Sequence, residues 1–196
     1  VVTGVQTCAL PIYIIDQARF GKLLHLPADQ QQIDALIEAD DTSDGSLRLS
    51  LLTKAVSRSG ITRRLQHASL TYLTEVDVPF PPIEHPGKAF TLEVPPEEIY
   101  QELVSFGPFF RNLAAPVKIN EHGAETMVSG GTAVPPPHIL GSPFALDSAF
   151  HAACAWGKAQ TGRICYPVAF KRRQVILPAQ PGQHYSVCIR FKAQEG

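Results

Sequence analysis

No apolar stretch in the chain approaches the roughly 18 residues that a membrane-spanning helix needs, and the N-terminus lacks the charged region that precedes a signal-peptide core. Basic runs are also scarce. Apart from Lys171-Arg172-Arg173 there is none, and the formal net charge of -1 leaves no electrostatic footprint for nucleic acid or an anionic membrane. The four cysteines, at 8, 154, 165 and 188, have spacings that match neither a zinc site nor a Cys-x-x-Cys motif. They are therefore expected to be reduced, mostly buried thiols, with no metal. Gly130-Gly131 runs into Thr132 and prolines instead of a helix, so it is no phosphate-binding loop. No Ser/His/Asp or Cys/His set has a recognisable spacing either. These absences point to a soluble, cytoplasmic protein that handles a small substrate or a protein partner.

What is present is a globular composition, 44% hydrophobic and 18% charged over 196 residues. Its 17 prolines gather at 79–96 and 135–143. From Tyr13 to Val76 the pattern is that of strands. Ile33, Ala35 and Ile37 alternate with their neighbours, as do Leu47, Leu49 and Leu51, which predicts a sheet with one buried face. Ser59-Gly60 fits a hairpin turn. Residues 77–96, dense in proline, are predicted to be a linker, because proline lacks the N–H that a central strand or helix interior needs. Pro95-Pro96-Glu97-Glu98 then marks a helix start with an apolar stripe of Ile99, Leu103 and Phe106. Asn120–Gly123 marks a turn between strands, and Tyr185, Val187, Ile189 and Phe191 give the cleanest two-residue period.

Between these strands, ALDSAFHAACAWGKAQTG predicts one helix closed by Gly162, apolar on nearly every side and therefore buried. An antiparallel sheet wrapped around a long buried helix is the hotdog arrangement. Two strand-rich halves with a single such helix predict an α+β double hotdog whose first hotdog is incomplete: 13–76 the first, 77–96 the linker, 97–196 the second. Asp147 and His151, four apart, share one face of the helix, and Asp147 is expected in the first turn, where the helix dipole favours a carboxylate. On spacing alone the pair fits a general acid oriented by a His or an N-cap Asp with a His packed on an apolar face.

More of the chain bears on that choice. Ser142-Pro143-Phe144-Ala145-Leu146-Asp147, with His151 following, resembles the second-hotdog motif of polyketide synthase dehydratase domains, in which a Pro and a Leu precede the catalytic Asp. Ile99–Leu103 followed by Phe106-Gly107-Pro108-Phe109-Phe110-Arg111 resembles that family's helix and its Tyr-Gly-Pro-x-Phe signature, with Phe106 in place of Tyr. Leu65–Ser69 and Tyr166-Pro167-Val168 are weaker matches in family order. Ser142 stands where many members have His.

The resemblance implies dehydration of 3-hydroxyacyl thioesters to 2-enoyl thioesters, in polyketide or polyunsaturated fatty-acid synthesis, without metal or redox cofactor. The substrate would ride on the phosphopantetheine of an acyl carrier protein, beside other synthase domains and in a homodimeric parent. Asp147 would be the acid and His151 its orienting partner. Phe106, Gly107, Pro108, Phe110, Arg111, Pro143 and Leu146 would shape the substrate site. Product-template domains, inactive dehydratase-like domains and hotdog thioesterases or acyl-binding modules are the alternatives.

The family's base lies in a His-x-x-x-Gly-x-x-x-x-Pro motif, and none of the seven histidines has that context. His85, in His-Pro-Gly, reads as a solvated loop residue, and His67 as a strand residue. VVTGVQTCALPI, residues 1–12, resembles the translation of a sequencing adapter. The expectation is that natural sequence starts at Tyr13, that the segment before it has no defined packing, that the base lies upstream, and that the chain as written is inactive and also stops early at its other end, where FKAQEG follows a strand with no return.

Overall fold

The computed structural model describes residues 14–24, 32–56, 59–73, 82, 85–87, 89–104, 106–132 and 140–192. The expectations for residues 1–12, and for His25 and His138, fall outside them. The chain divides into two units, Val1–Pro79 with Val168–Ile176, and Phe80–Pro167 with Leu177–Gly196.

The first unit is a five-stranded antiparallel sheet of β1 (Ile14–Phe20), β2 (Ala35–Asp41), β3 (Leu47–Val56), β4 (Thr62–Leu73) and β8 (Ala169–Gln174), in the order β2-β3-β4-β1-β8. The Ser59-Gly60 turn between β3 and β4 is present, with Gly60 at φ 79°, a conformation that glycine adopts without a Cβ penalty. The predicted single buried face is interrupted twice. A bulge between Leu51 and Leu52 brings Leu52 and Thr53 both inside, and a second, in β1 at Gln17 (φ 51°), leaves Ile15 and Ala18 as its buried pair. β2 is an edge strand, and Ile37 on it is 73% exposed, so alternation there does not mark burial.

Residues 168–176 depart from the predicted 97–196 hotdog. They pair with β1, where Arg172 Nε donates to Asp16 Oδ1 at 3.0 Å. A strand's partner is set by backbone pairing across the fold, which a local period does not encode.

The second unit is a four-stranded antiparallel sheet of β5 (Leu92–Val94), β6 (Val117–Asn120), β7 (Gly123–Ser129) and β9 (His184–Arg190), in that order. β5 lies inside the predicted linker: its prolines flank the strand instead of entering it, so Leu92–Val94 can pair with Val117–Ile119. The helix α2 (Pro143–Thr161) packs on β6, β7 and β9. It starts at Pro143, with the Ser142 side chain accepting from Phe144 N, and ends at Gly162 in the left-handed conformation (φ 69°). From 144 to 158 every residue is buried or half-buried, as its all-round apolar character requires. Ala152 and Ala155 meet Val117, Ile119, Ala124 and Val128 of the sheet and Ile99 and Leu103 in one core cluster. Tyr185, Val187 and Ile189 pack against that cluster, as their period predicts.

The fold is therefore α+β, an antiparallel sheet laid on one long helix in hotdog fashion. The helical turn after Pro95 is short. One turn, α1 (Pro96–Glu98), widens into a π-turn over Ile99–Leu103 that buries Ile99, Tyr100 and Leu103. Phe106 falls beyond its end and does not join the stripe.

Candidate functional site

The site is built in the second unit, where α2 passes the loop that follows Leu103. That loop is tied to itself: Phe110 N donates to Gly107 O (3.0 Å), Arg111 Nε to Phe106 O (2.9 Å) and Asn112 Nδ2 to Phe109 O (2.6 Å). Pro108–Phe110 forms a 3₁₀ turn, with proline at its start, where a missing N–H costs nothing. These bonds hold the Phe106 ring stacked on the His151 ring, centroids 4.7 Å apart and planes 25° apart, while Phe110 meets Phe144 edge-on at 5.5 Å.

His151 is 2% exposed. Its Nδ1 lies 3.5 Å from Tyr100 Oη, at the limit of a hydrogen bond, and the two rings are T-shaped. Tyr100 Oη accepts from Leu113 N at 3.0 Å, which leaves its own hydrogen free to turn toward His151. Burial pushes the Tyr100 phenol up, so it remains a neutral donor. The Arg111 guanidinium carbon stands 5.9 Å from the centre of the Tyr100 ring. On the other side, His151 Nε2 is 3.1 Å from Asp147 Oδ2.

That short approach is misaligned for a hydrogen bond. Asp147 Oδ2, His151 Nε2 and the hydroxyl of Ser148 are all buried and without a well-formed hydrogen bond, the Ser148 hydroxyl making only a loose approach to Tyr100 Oη. Buried polar atoms are nearly always paired, and three unpaired ones on consecutive turns of one helix mark a place built for a polar group from outside. The Asp147 side chain, 32% exposed, forms the open edge of this trio.

Of the residues singled out from the sequence, Asp147, His151, Phe106, Phe110 and Arg111 come together here. Gly107 and Pro108 shape the loop. Pro143 is the exposed first residue of α2, and Leu146 is half-buried on it. Asp147 differs from expectation in depth. With Ser142 as the cap and Pro143 first, it stands in the second turn, beyond the orphan N–H groups, so the helix dipole acts on it weakly. Ser142 serves the fold, its hydroxyl donating to Gly130 O while it caps the helix. Tyr100 and Ser148 were not singled out for chemistry. For Ser148 the available signal is a hydroxyl beside Asp147 among the apolar residues that begin α2.

Three other histidines in described residues have different settings. His67 is buried in the first unit and satisfied at both nitrogens, Nδ1 with Lys22 O (2.9 Å) and Nε2 with Thr53 Oγ1 (2.8 Å). His122 pairs with exposed Glu121. His85 is exposed, in a loop as predicted, and meets Glu125 and Cys188.

A hotdog-like sheet and helix carrying an Asp/His pair define the class, and comparison with known proteins narrows it. The family model described as polyketide synthase dehydratase N-terminal domain matches residues 80–195. The chain belongs to the polyketide synthase dehydratase family. Solved structures agree on the fold. A trans-AT polyketide synthase dehydratase domain from Brevibacillus brevis is 11% identical, with a TM-score of 0.63, covering 87% of this chain and 61% of that one. The dehydratase domain from the CurF module of the curacin polyketide synthase is 14% identical (TM-score 0.64; 93% and 66%). The dehydratase domain of PpsC from Mycobacterium tuberculosis is 16% identical (TM-score 0.60; 84% and 58%). This chain thus spans less than two thirds of those domains. No curated protein matches it. Among the described residues, no helix is long and apolar enough to cross a membrane.

Proposed function

We propose that this chain is part of a dehydratase domain that removes water from a 3-hydroxyacyl thioester borne on an acyl carrier protein. The observation that carries the reading is the trio of unpartnered buried atoms at Asp147, Ser148 and His151, beside the Phe106 and Phe110 rings, in a chain of this family. A 3-hydroxyl entering the trio would meet a carboxyl group it can bond to. Hydroxide is a poor leaving group, so the carboxyl of Asp147 gives it a proton as the C–O bond breaks, and it leaves as water. A base takes the proton alpha to the thioester carbonyl, and that C–H pair becomes the new C=C bond. His151 Nε2, 3.1 Å from Asp147 Oδ2 and unbonded to it before substrate enters, takes up that bond as the carboxyl turns to the hydroxyl and so orients it.

No histidine of the 196 residues carries the family's base motif, so in this reading the base is supplied by a longer protein that contains this chain. That protein would carry the neighbouring synthase domains and the carrier-protein partner. It would work in the cytoplasm and pair as a homodimer, and it would need no redox cofactor.

Mass spectrometry of a 3-hydroxyacyl carrier protein incubated with the longer protein tests this. Water loss is expected, slowed roughly 10²–10⁴-fold by Asp147→Asn, the range typical of a positioned acid. Undiminished water loss in the variant overturns the acid role. No water loss with either protein favours a product-template or structural domain on the same fold.

A further inference from the structure

A second cluster lies in the same unit, on the sheet face turned away from α2. In β7, Ala124 and Val128 point into the core, so Glu125 between them points outward. In β9, Val187 and Ile189 pack against the core, so Cys188 points outward as well. Glu125 and Cys188 are direct partners in the β7–β9 register, which sets their side chains side by side.

A third group completes the cluster. His85 Nδ1 reaches Glu125 Oε1 at 3.0 Å and Cys188 Sγ at 3.3 Å, and the three atoms lie within 4.8 Å of one another. The segment that carries His85 is held in place. Buried Asn120 donates from Nδ2 to Pro86 O (3.0 Å) and Ala89 O (3.3 Å), and its Oδ1 accepts from His122 N and Gly123 N. A Cβ added at Gly123 would lie 3.0 Å from the Pro86 ring, so this segment rests closely on the start of β7.

Hydrogen bonding alone serves this arrangement poorly. A ring nitrogen offers one hydrogen or one lone pair, yet two groups converge on Nδ1. A cation at the shared focus would satisfy all three. With metal–ligand distances of roughly 2.0–2.3 Å, adjacent ligands of a tetrahedral zinc ion lie roughly 3.3–3.7 Å apart, close to the two separations seen here. Imidazole, thiolate and carboxylate together suit zinc, and the exposed side of His85 leaves room for a water as fourth ligand.

We propose that His85, Glu125 and Cys188 bind a zinc ion that clamps the His85–Gly87 segment onto the β7–β9 pair. On binding, Nδ1 gives its lone pair and a Glu125 oxygen gives another, with the ring proton held on Nε2. The Cys188 thiol passes its proton to solvent as the Zn–S bond forms. The site stands apart from the dehydration reading, since its ligands are none of the residues assigned there.

Cobalt(II) is the probe, titrated into the full chain under reducing conditions. One equivalent is expected to give a thiolate-to-cobalt charge-transfer band and the intense visible bands of a tetrahedral site, both abolished by added zinc. Cys188→Ser should remove the charge-transfer band. His85→Ala, a change at an exposed loop residue that leaves the sheet intact by circular dichroism, should weaken binding by more than roughly 100-fold, the upper range for loss of a mere supporting contact. A chain that takes up no stoichiometric cobalt, or whose charge-transfer band survives Cys188→Ser, overturns the proposal.

Discussion

The two units share antiparallel sheets and differ in what covers them. Among the described residues, 14 of the 18 buried hydrophobic side chains lie in the second unit and four, Ile15, Ala18, Leu52 and Val175, in the first. The second unit has α2, whose apolar sides give the sheet a second layer. In the first, which has no helix among its described residues, Leu23, Ile37, Val56 and Ile61 are each more than half exposed. A sheet supplies hydrogen bonds and alternation, but its core comes from the layer laid against it.

The two buried histidines repeat the contrast at the scale of one side chain. His67 in the first unit has both nitrogens bonded, Nδ1 to the Lys22 carbonyl and Nε2 to the Thr53 hydroxyl, which makes it structural. His151 in the second is buried as deeply and has an unpartnered Nε2. Burial alone therefore does not separate the two. Unmet hydrogen-bonding capacity does.

The sharpest way to break the first contrast is a matched pair of truncations. Ile99→Ala removes a side chain that is fully buried in the second unit's cluster and should cost about 2–5 kcal/mol. Ile37→Ala, at a 73% exposed position on the edge strand, should change stability by less than about 0.5 kcal/mol. Urea unfolding followed by circular dichroism reads both. Comparable losses would mean that the first sheet has a covered core after all.

A smaller effect tests the histidines with one substitution at two places. His67→Phe leaves Thr53 Oγ1 and the Lys22 carbonyl without their partner and should cost about 1–3 kcal/mol. His151→Phe keeps an aromatic ring against Phe106, and removes the unpaired Nε2 together with the long 3.5 Å bond from Tyr100 Oη to Nδ1, so its cost should be under about 1 kcal/mol. Equal costs would show that the Asp147–His151 pair contributes to stability as an ordinary buried bond.

The same division explains what was legible in the sequence. The strands, α2 with its Gly162 end, the Asn120–Gly123 turn and the Asp147/His151 face are local features, written in period and turn chemistry, and they appear where the pattern predicts. The features that were missed depend on pairing between distant segments. β5 hides among prolines because only β6 makes it a strand. β8 joins β1 from more than 140 residues away. The bulges in β1 and β3 shift the buried set by one residue, which a strict two-residue period cannot express. Asp147 was placed one turn too near the helix start, because Pro143 and the Ser142 cap begin the helix earlier than the alanine-rich run suggests. The His85, Glu125 and Cys188 cluster draws on three separate segments, so cysteine spacing had no means of showing it.

The smallest effect lies in the first unit, where order is local. The turn from β2 to β3 is organised by Asp44, whose Oδ1 accepts from the Thr42 hydroxyl, Ser46 N (3.0 Å) and the Ser46 hydroxyl (2.8 Å), while Gly45 takes a positive φ of 79°. Those bonds, the Thr42 hydroxyl first, hold the Asp44 carboxyl down from its ordinary 3.8 to about 2. A carboxyl group depressed in the folded state favours folding above its ordinary value and loses that contribution as pH falls through the folded one. The window here is thus from pH 3.8 down to about 2. Because Asp44 is exposed, the expected change is in titration and not in overall stability. NMR of the side-chain carboxyl carbon should give a midpoint near 2, and Thr42→Val should move it toward 3.8. A midpoint that stays near 2 in the variant would mean that the two Ser46 bonds hold the carboxyl group and that the Thr42 hydroxyl contributes nothing to it.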